Sequence, residues 1–283
     1  MANSSEEDTV KKLTLVFLGA FFLLLLGIPE VSFAYDSSPS RVVIIPEAIW
    51  APATGGGTWR TELQVYTRVG TGDPTIKVYF MDQVTGGWSG DVISLARPST
   101  HRMTRWTNIL STLKSLDTSG YDHYGKVGAL WIVCSDTWDR ISVQARNVHT
   151  DNYGKTINGL DPFSDGNFGS YEPFRALMIQ GIYKGNVYRS TVVLFNPNHQ
   201  TITVRVALIN HNDTWLGWQD ITLPGYGFTA FDPFNRFGIT ALTHWNCRIW
   251  VAPLSGSGKI MAVGATANNY TNDPSSHIAI QYD

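Results

Sequence analysis

The chain has 283 residues, of which 43% are hydrophobic, 12% aromatic and only 16% charged, with a formal net charge of −2. It has no run of Lys and Arg to displace counterions from a phosphate backbone, so nucleic acid is excluded as a partner. With Cys134 and Cys247 as its two cysteines, it is not a disulfide-rich scaffold either.

At the N-terminus, Lys11-Lys12 precedes an apolar run from Leu13 to Ile28, then Ser32-Phe33-Ala34 before Tyr35. This is the pattern of a secretory signal cleaved after residue 34, and its apolar run is shorter than the roughly 20 residues of a membrane-spanning helix. The expected location is therefore secreted, periplasmic or at the cell surface, with no stable membrane anchor after cleavage. Cleavage removes Lys11 and Lys12 from 21 basic residues and Glu6, Glu7, Asp8 and Glu30 from 23 acidic ones, leaving 19 of each. A neutral, aromatic-rich exported chain lacks the self-repulsion that keeps proteins apart, so association with itself or with another extracellular protein is expected. Export also permits a Cys134–Cys247 bridge; two free core thiols are the alternative.

Arg41 to Trp50 reads as a strand interrupted at Pro46, followed by the turn Gly55-Gly56-Gly57. A strand follows these glycines, where a phosphate loop would start a helix. Trp59 to Tyr66 and Thr75 to Phe80 are the next strands, then the tryptophan-bearing segment Gly87 to Leu95. Thr107 is placed to cap a helical turn carrying Ile109, Leu110, Leu113 and Leu116, and Ala129 to Val133 and a strand at Ile141 follow.

The second half repeats this order. Tyr188 to Phe195 matches Trp59 to Tyr66 at an offset of 129, Thr201 to Val206 matches Thr75 to Phe80 at 126, and Arg248 to Ala252 matches Ala129 to Val133 at 119. Between Val187 and Leu208 the chain reads as two strands around the turn Asn196-Pro197-Asn198. In the second of them Ile202, Val204, Val206 and Leu208 take one side, and Thr203, Arg205 and Ala207 the other. Gly217-Trp218 is set against Gly87-Trp88, and the cap Asp232-Pro233 against Thr107. The polar stretch Asn152 to Ser170 separates the copies. The expected fold is all-β: a signal peptide at 1–34, then two tandem homologous β-sandwich domains, repeat 1 at 35–160 and repeat 2 at 161–283.

The aromatic-Arg-Thr/Ser-x-apolar-x-apolar-aromatic strand, Trp59 to Tyr66 and Tyr188 to Phe195, resembles the recurring sandwich module of secreted bacterial proteins of unknown function. Leu194-Phe195-Asn196 is more loosely similar to the sandwich family of the sensory rhodopsin transducer. The resemblance implies the fold and export, and no catalytic residues. Thr67 stands where the second copy has Asn196.

No pattern for catalysis or for a cofactor emerges. Ser111-Thr112-Leu113-Lys114 lacks the companion motifs of the acyltransferases it mimics, and Gly154-Lys155-Thr156 lacks the first glycine of a phosphate loop. Asp161 to Glu172 supplies several positions of a calcium loop, but has Phe163 at the third, and the seven histidines are scattered, so no metal site is expected. Asp91, Asp136, Asp139 and Asp220 leave a glycan-active hydrolase as a distant alternative. The best ligand candidates are the tryptophans Trp88, Trp215 and Trp218, with Trp138 near a strand end; each could instead serve as a lid over a core. The repeated Arg60 and Arg189 are expected to pair within their own modules. The sequence points to a non-enzymatic extracellular structural or protein-binding role, with glycan binding through the loop tryptophans as the alternative.

Overall fold

Alternation along each strand sorts the side chains into layers, and this sorting positions every surface of the molecule. The structure is a computed structural model that describes residues 42–53, 56–67, 75–82, 88–94, 102–134, 141–150, 154–158, 169–170, 175–241, 243–255, 259–269 and 274–282. The leader, Trp138, Asp136, Asp139 and the Asp161 to Glu172 loop, apart from Gly169 and Ser170, lie outside these residues.

The first half carries β1 (Val42–Pro52), β2 (Thr58–Thr67), β3 (Thr75–Asp82), β4 (Trp88–Ser94), β5 (Arg102–Trp106), α1 (Ile109–Leu116), β6 (Lys126–Cys134), β7 (Ile141–His149) and β8 (Gly154–Asn158). After β9 (Gly169–Ser170) come β10 (Ala176–Lys184), β11 (Tyr188–Phe195), β12 (Ile202–Ile209), β13 (Trp215–Leu223), β14 (Phe228–Phe231), α2 (Pro233–Arg236), β15 (His244–Ser255), β16 (Lys259–Asn268), β17 (Pro274–Ile278) and β18 (Ile280–Tyr282). The described chain is therefore all-β, with two short helices.

The first eight strands form one sheet in the order β4-β3-β6-β1-β2-β7-β8, with β5 on β2; it bends at the corner where Trp50–Pro52 pairs with Thr58–Arg60. The second half forms β13-β12-β15-β10-β18 and β14-β11-β16-β17. Apart from that corner and the added β9 and β18, the strand order is the same in both halves. Finer details coincide as well. β1 has a register shift between Ile45 and Ala48, and β10 has one between Ile179 and Ile182. Just beyond each shift a hydroxyl ties the strand to its neighbours. Thr61 Oγ1 accepts from the Ile49 amide at 2.7 Å and donates to Asn147 Oδ1 at 2.6 Å. Ser190 Oγ accepts from the Tyr183 amide at 2.9 Å and meets Thr266 Oγ1 at 3.0 Å.

Several sequence alignments shift. Tyr79 faces Trp131 as Ala207 faces Trp250, so β3 and β12 correspond at an offset of 128 where the sequence match gives 126; the face assignment survives because the slip is even. The helix cap in the first half is Asn108, whose side chain accepts from the Ser111 amide at 3.1 Å, and not Thr107. Asp232 caps α2 as expected, and its carboxylate accepts from the Phe234 and Asn235 amides. Gly154-Lys155-Thr156 lies in β8, which pairs with β7, so part of the expected linker is strand. Ser111 and Lys114 are accounted for within α1 and its surroundings, Lys114 Nζ reaching Asp122 at 2.7 Å.

Three clusters of buried side chains hold these sheets. Val43, Ile45, Val78, Leu130 and Ile132 meet Leu63, Val65 and Val143 in the first. Ile179, Val204, Val206 and Ile249 meet Val192, Leu194 and Ile260 in the second. The third is the seam between halves: Ile44, Met81 and Ala129, on the opposite side of β1, β3 and β6, pack on Val193, Phe195, Phe228 and Met261. Residues 37–283 thus form one compact unit.

Cys134 lies in the first cluster and Cys247 in the second, both buried and in no disulfide, so the permitted bridge is not made. Burial pushes the Cys247 thiol up to about 11. Ellman titration of the native protein should find no reactive thiol, and two per chain in guanidinium; a reactive thiol in the native state would contradict the burial. The turn after β11 hangs on Asn196, which is fully buried, donates to Gln200 and Pro224 carbonyls at 2.7 Å each, and accepts from the Asn198 amide. Asn196→Ala leaves those groups unmet and should cost about 2 kcal/mol. That lowers the melting temperature by roughly 4–8 °C in a domain of this size, measurable by thermal denaturation.

Candidate functional site

The faces at the two ends of this arrangement differ from the seam in what they expose. On β12, Ile202, Val204, Val206 and Leu208 point into the second core, which turns Thr203, Arg205, Ala207 and Ile209 outward. Their cross-strand partners on β13 are Thr222, Asp220, Trp218 and Trp215. On the other side β15 places Trp250 beside Ala207 and Arg248 beside Ile209, and β10 places Met178 beside Trp250. Four strands at about 4.8 Å spacing make this face roughly 14 Å across.

Trp215 and Trp218 are therefore strand residues and not loop residues as the sequence suggested. A spacing of three would put them on opposite faces of a regular strand, but the ladder shifts between Leu208 and Ile209, and the extra residue turns both outward. They are 53% and 56% exposed, and Trp245, at the start of β15, is 59% exposed. These indoles are not lids over the core. Trp88 opens β4 opposite Met81, which makes it the counterpart of Trp215 and leaves Gly90 as the counterpart of Trp218. The side chain of Trp88 lies outside the described set. In the first half Tyr79 occupies the space over Gly90, where an added Cβ would come within 2.6 Å of the ring. In the second half the bulk has crossed to the neighbouring strand, with Trp218 beside Ala207.

Polar groups are set among the rings. Arg205 lies over Trp218 with its guanidinium carbon 4.2 Å from the ring centroid, and it donates two hydrogen bonds to Asp220, at 2.8 and 3.0 Å. The charge-assisted bonds from Arg205 hold the Asp220 carboxyl below the usual carboxylate range. Asp220 is thus held in place by Arg205. At the end of the β12–β13 hairpin, Asn210 Oδ1 accepts from the Asn212 and Thr214 amides, shaping a loop that stacks His211 on Trp245 at 4.6 Å and brings Asp213 to Arg248. Gln180, His211, Asn246 and Arg248 line a pocket of about 230 Å³ there. Asp213 and Asn246, at its edge, have φ of +62° and +52°, two of the three left-handed non-glycine residues described. Such backbone is retained where surrounding contacts enforce it, and concentrates at binding sites.

The arrangement offers stacking surfaces beside hydrogen-bond donors and acceptors. Among the described residues no group of three or more His, Cys, Asp or Glu could hold a metal ion, and no helix is long and apolar enough to cross a membrane. Arg60 and Arg189 stay within their halves, donating to the Thr107 carbonyl and to Asn269 Oδ1. Reading the sequence located Trp215 and Trp218 but missed Trp245, Trp250, His211 and Arg248, because nothing in the spacing reveals which strands become neighbours. The outward position of Arg205 was the available signal.

No family model matches the chain, and no curated protein matches it. Among solved structures it is similar to the lectin from Pleurotus ostreatus in complex with GalNAc, at 11% identity over 87% of this chain and 85% of the lectin, with a TM-score of 0.20. The apo form of the Pleurotus ostreatus lectin aligns at 10% identity over 87% and 84%, also with a TM-score of 0.20. Scores of this size carry no argument about fold or ligand.

Trp218 covers Ala207 and holds Arg205, but is not part of the core. Trp218→Ala should cost no more than about 1 kcal/mol, the value of an exposed cation–π contact, and shift the melting temperature by at most about 4 °C. A larger drop in a thermal melt would show that the indole is structural.

Proposed function

We propose that this protein is an exported, non-catalytic binding protein of two homologous β-sandwich modules, and that the outer face of its second module binds a glycan. The observation that carries the reading is the joint exposure of Trp215, Trp218 and Trp245 on a strand-built face interleaved with Arg205, Asp220, His211, Asn246 and Arg248. A sugar ring has an apolar C–H face and a rim of hydroxyls, so it needs a flat aromatic surface and hydrogen-bonding groups within a few ångströms of each other. The seam supplies the contrast. Where this molecule buries the corresponding face against another sheet, it uses Ile44, Met81 and Ala129, with no charged member of the cluster. At the free face Met81 is replaced by Ile209, and Ala129 by Arg248. Such a surface suits a ligand that must keep its polar groups satisfied.

A second reading has its own support. Because the equivalent face of the first half is already a protein contact, the free face could take another protein or a second copy of the chain. On a glycan array the wild-type protein should retain ligands that Trp218→Ala binds at least about tenfold more weakly, the loss of one stacking contact. An empty array, together with concentration-dependent sedimentation that Trp218→Ala abolishes, would assign the face to a protein partner instead.

A further inference from the structure

Away from that face, a cleft of about 370 Å³ opens at the seam, lined by Tyr79, Met81, Trp131 and Val133 of the first half and Tyr226 of the second. Tyr79 and Trp131 are direct cross-strand neighbours on β3 and β6, so their rings share one wall. Tyr226 approaches from the turn between β13 and β14 and meets Trp131 edge to face, with centroids 6.1 Å apart and planes at 88°. Trp131 and Tyr226 thus form a steep corner, with Tyr79 beside Trp131 on the neighbouring strand.

The turn that delivers Tyr226 is built for that purpose. Tyr226 has φ +56°, an unfavourable value for a bulky side chain, and no backbone need explains its choice over Asn or Gly. The conformation is enforced from several directions. The Tyr226 amide donates to the Asn198 carbonyl at 2.8 Å, the Gly227 amide to Pro224 at 2.9 Å, and Asn196 holds the Pro224 carbonyl from beneath. At Gly225 an added Cβ would fall 2.1 Å from the His199 carbonyl oxygen, so the turn lies directly against that backbone and only glycine fits there.

We infer that this aromatic corner is a binding site for a quaternary ammonium group of the choline type. The electron-rich faces of Trp and Tyr attract a cation that carries no hydrogen-bond donors and is weakly hydrated. Lys77 Nζ already stands 4.8 Å from the Tyr79 ring centroid, so the attraction for a further cation rests on Trp131 and Tyr226. A sugar is the wrong occupant. Among the described residues no charged or amide side chain lines the cleft, so most of a sugar's hydroxyls would leave water without replacement. This inference does not depend on the glycan reading, which concerns a different face.

The test is calorimetric titration of the full chain with choline, with tetramethylammonium and with 3,3-dimethylbutan-1-ol, the neutral isostere of choline, at fixed ionic strength. Both cations should bind saturably, and the alcohol at least about tenfold more weakly. Tyr226→Asn removes one wall but suits the left-handed backbone, so it should weaken choline binding at least about tenfold without lowering the melting temperature. Trp218→Ala should leave choline binding unchanged. Equal binding of alcohol and cation, no saturable binding of choline, or an unaltered response in Tyr226→Asn would overturn the assignment.

Discussion

Strands β1, β3 and β6 carry apolar side chains on both faces, into the first core on one side and toward the seam on the other, and the rest of the structure follows from that constraint. Val43, Val78 and Ile132 look into the first core while their neighbours Ile44, Tyr79 and Trp131 look into the seam. A strand covered on both sides has no polar face to alternate with, which is why Val42 to Ile45 and Ala129 to Val133 read as continuous apolar runs. The partner surface has the same character, with Val193 and Phe195 outward and Val192 and Leu194 inward on β11. Large side chains such as Phe195 and Met261 contribute about 1.5–3 kcal/mol each on burial, enough to join the halves firmly.

One seam leaves two faces uncovered, and they have been rewritten differently. On the first half, Gln64, Arg105 and Ser142 stand where the second half packs Val193, Ala230 and Met261 at the seam. The exchange of polar for apolar groups is partial, since Tyr66 and Met103 on the same face are 47% and 45% exposed. On the second half the change is uneven: Ala129 becomes Arg248, yet Gly90 becomes Trp218. The indole of Trp218 is more than half exposed, a large apolar group set among these polar ones.

Much of this was legible in the sequence because the two halves share one strand order and similar strand patterns. The strand pairs around Trp59 and Tyr188, the outward position of Arg205 and the helix start at Asp232 came from periodicity and cap chemistry, both local properties. What escaped was non-local. The extra residue between Trp215 and Trp218 is a bulge only because β12 sets the register opposite it. The grouping of His211 with Trp245 and Arg248 depends on β12 and β15 being neighbours across 35 residues of chain. Tyr226 gave no signal, since a left-handed tyrosine is visible only in the backbone angle that the Asn196 and Asn198 contacts impose.

The account stands on the seam acting as a third core that makes the two halves one cooperative body. Differential scanning calorimetry of residues 35–283 tests this directly. A single transition whose calorimetric enthalpy equals its van't Hoff enthalpy is the predicted result, with Phe195→Arg splitting it into two. Two resolved transitions in the unaltered protein would contradict it.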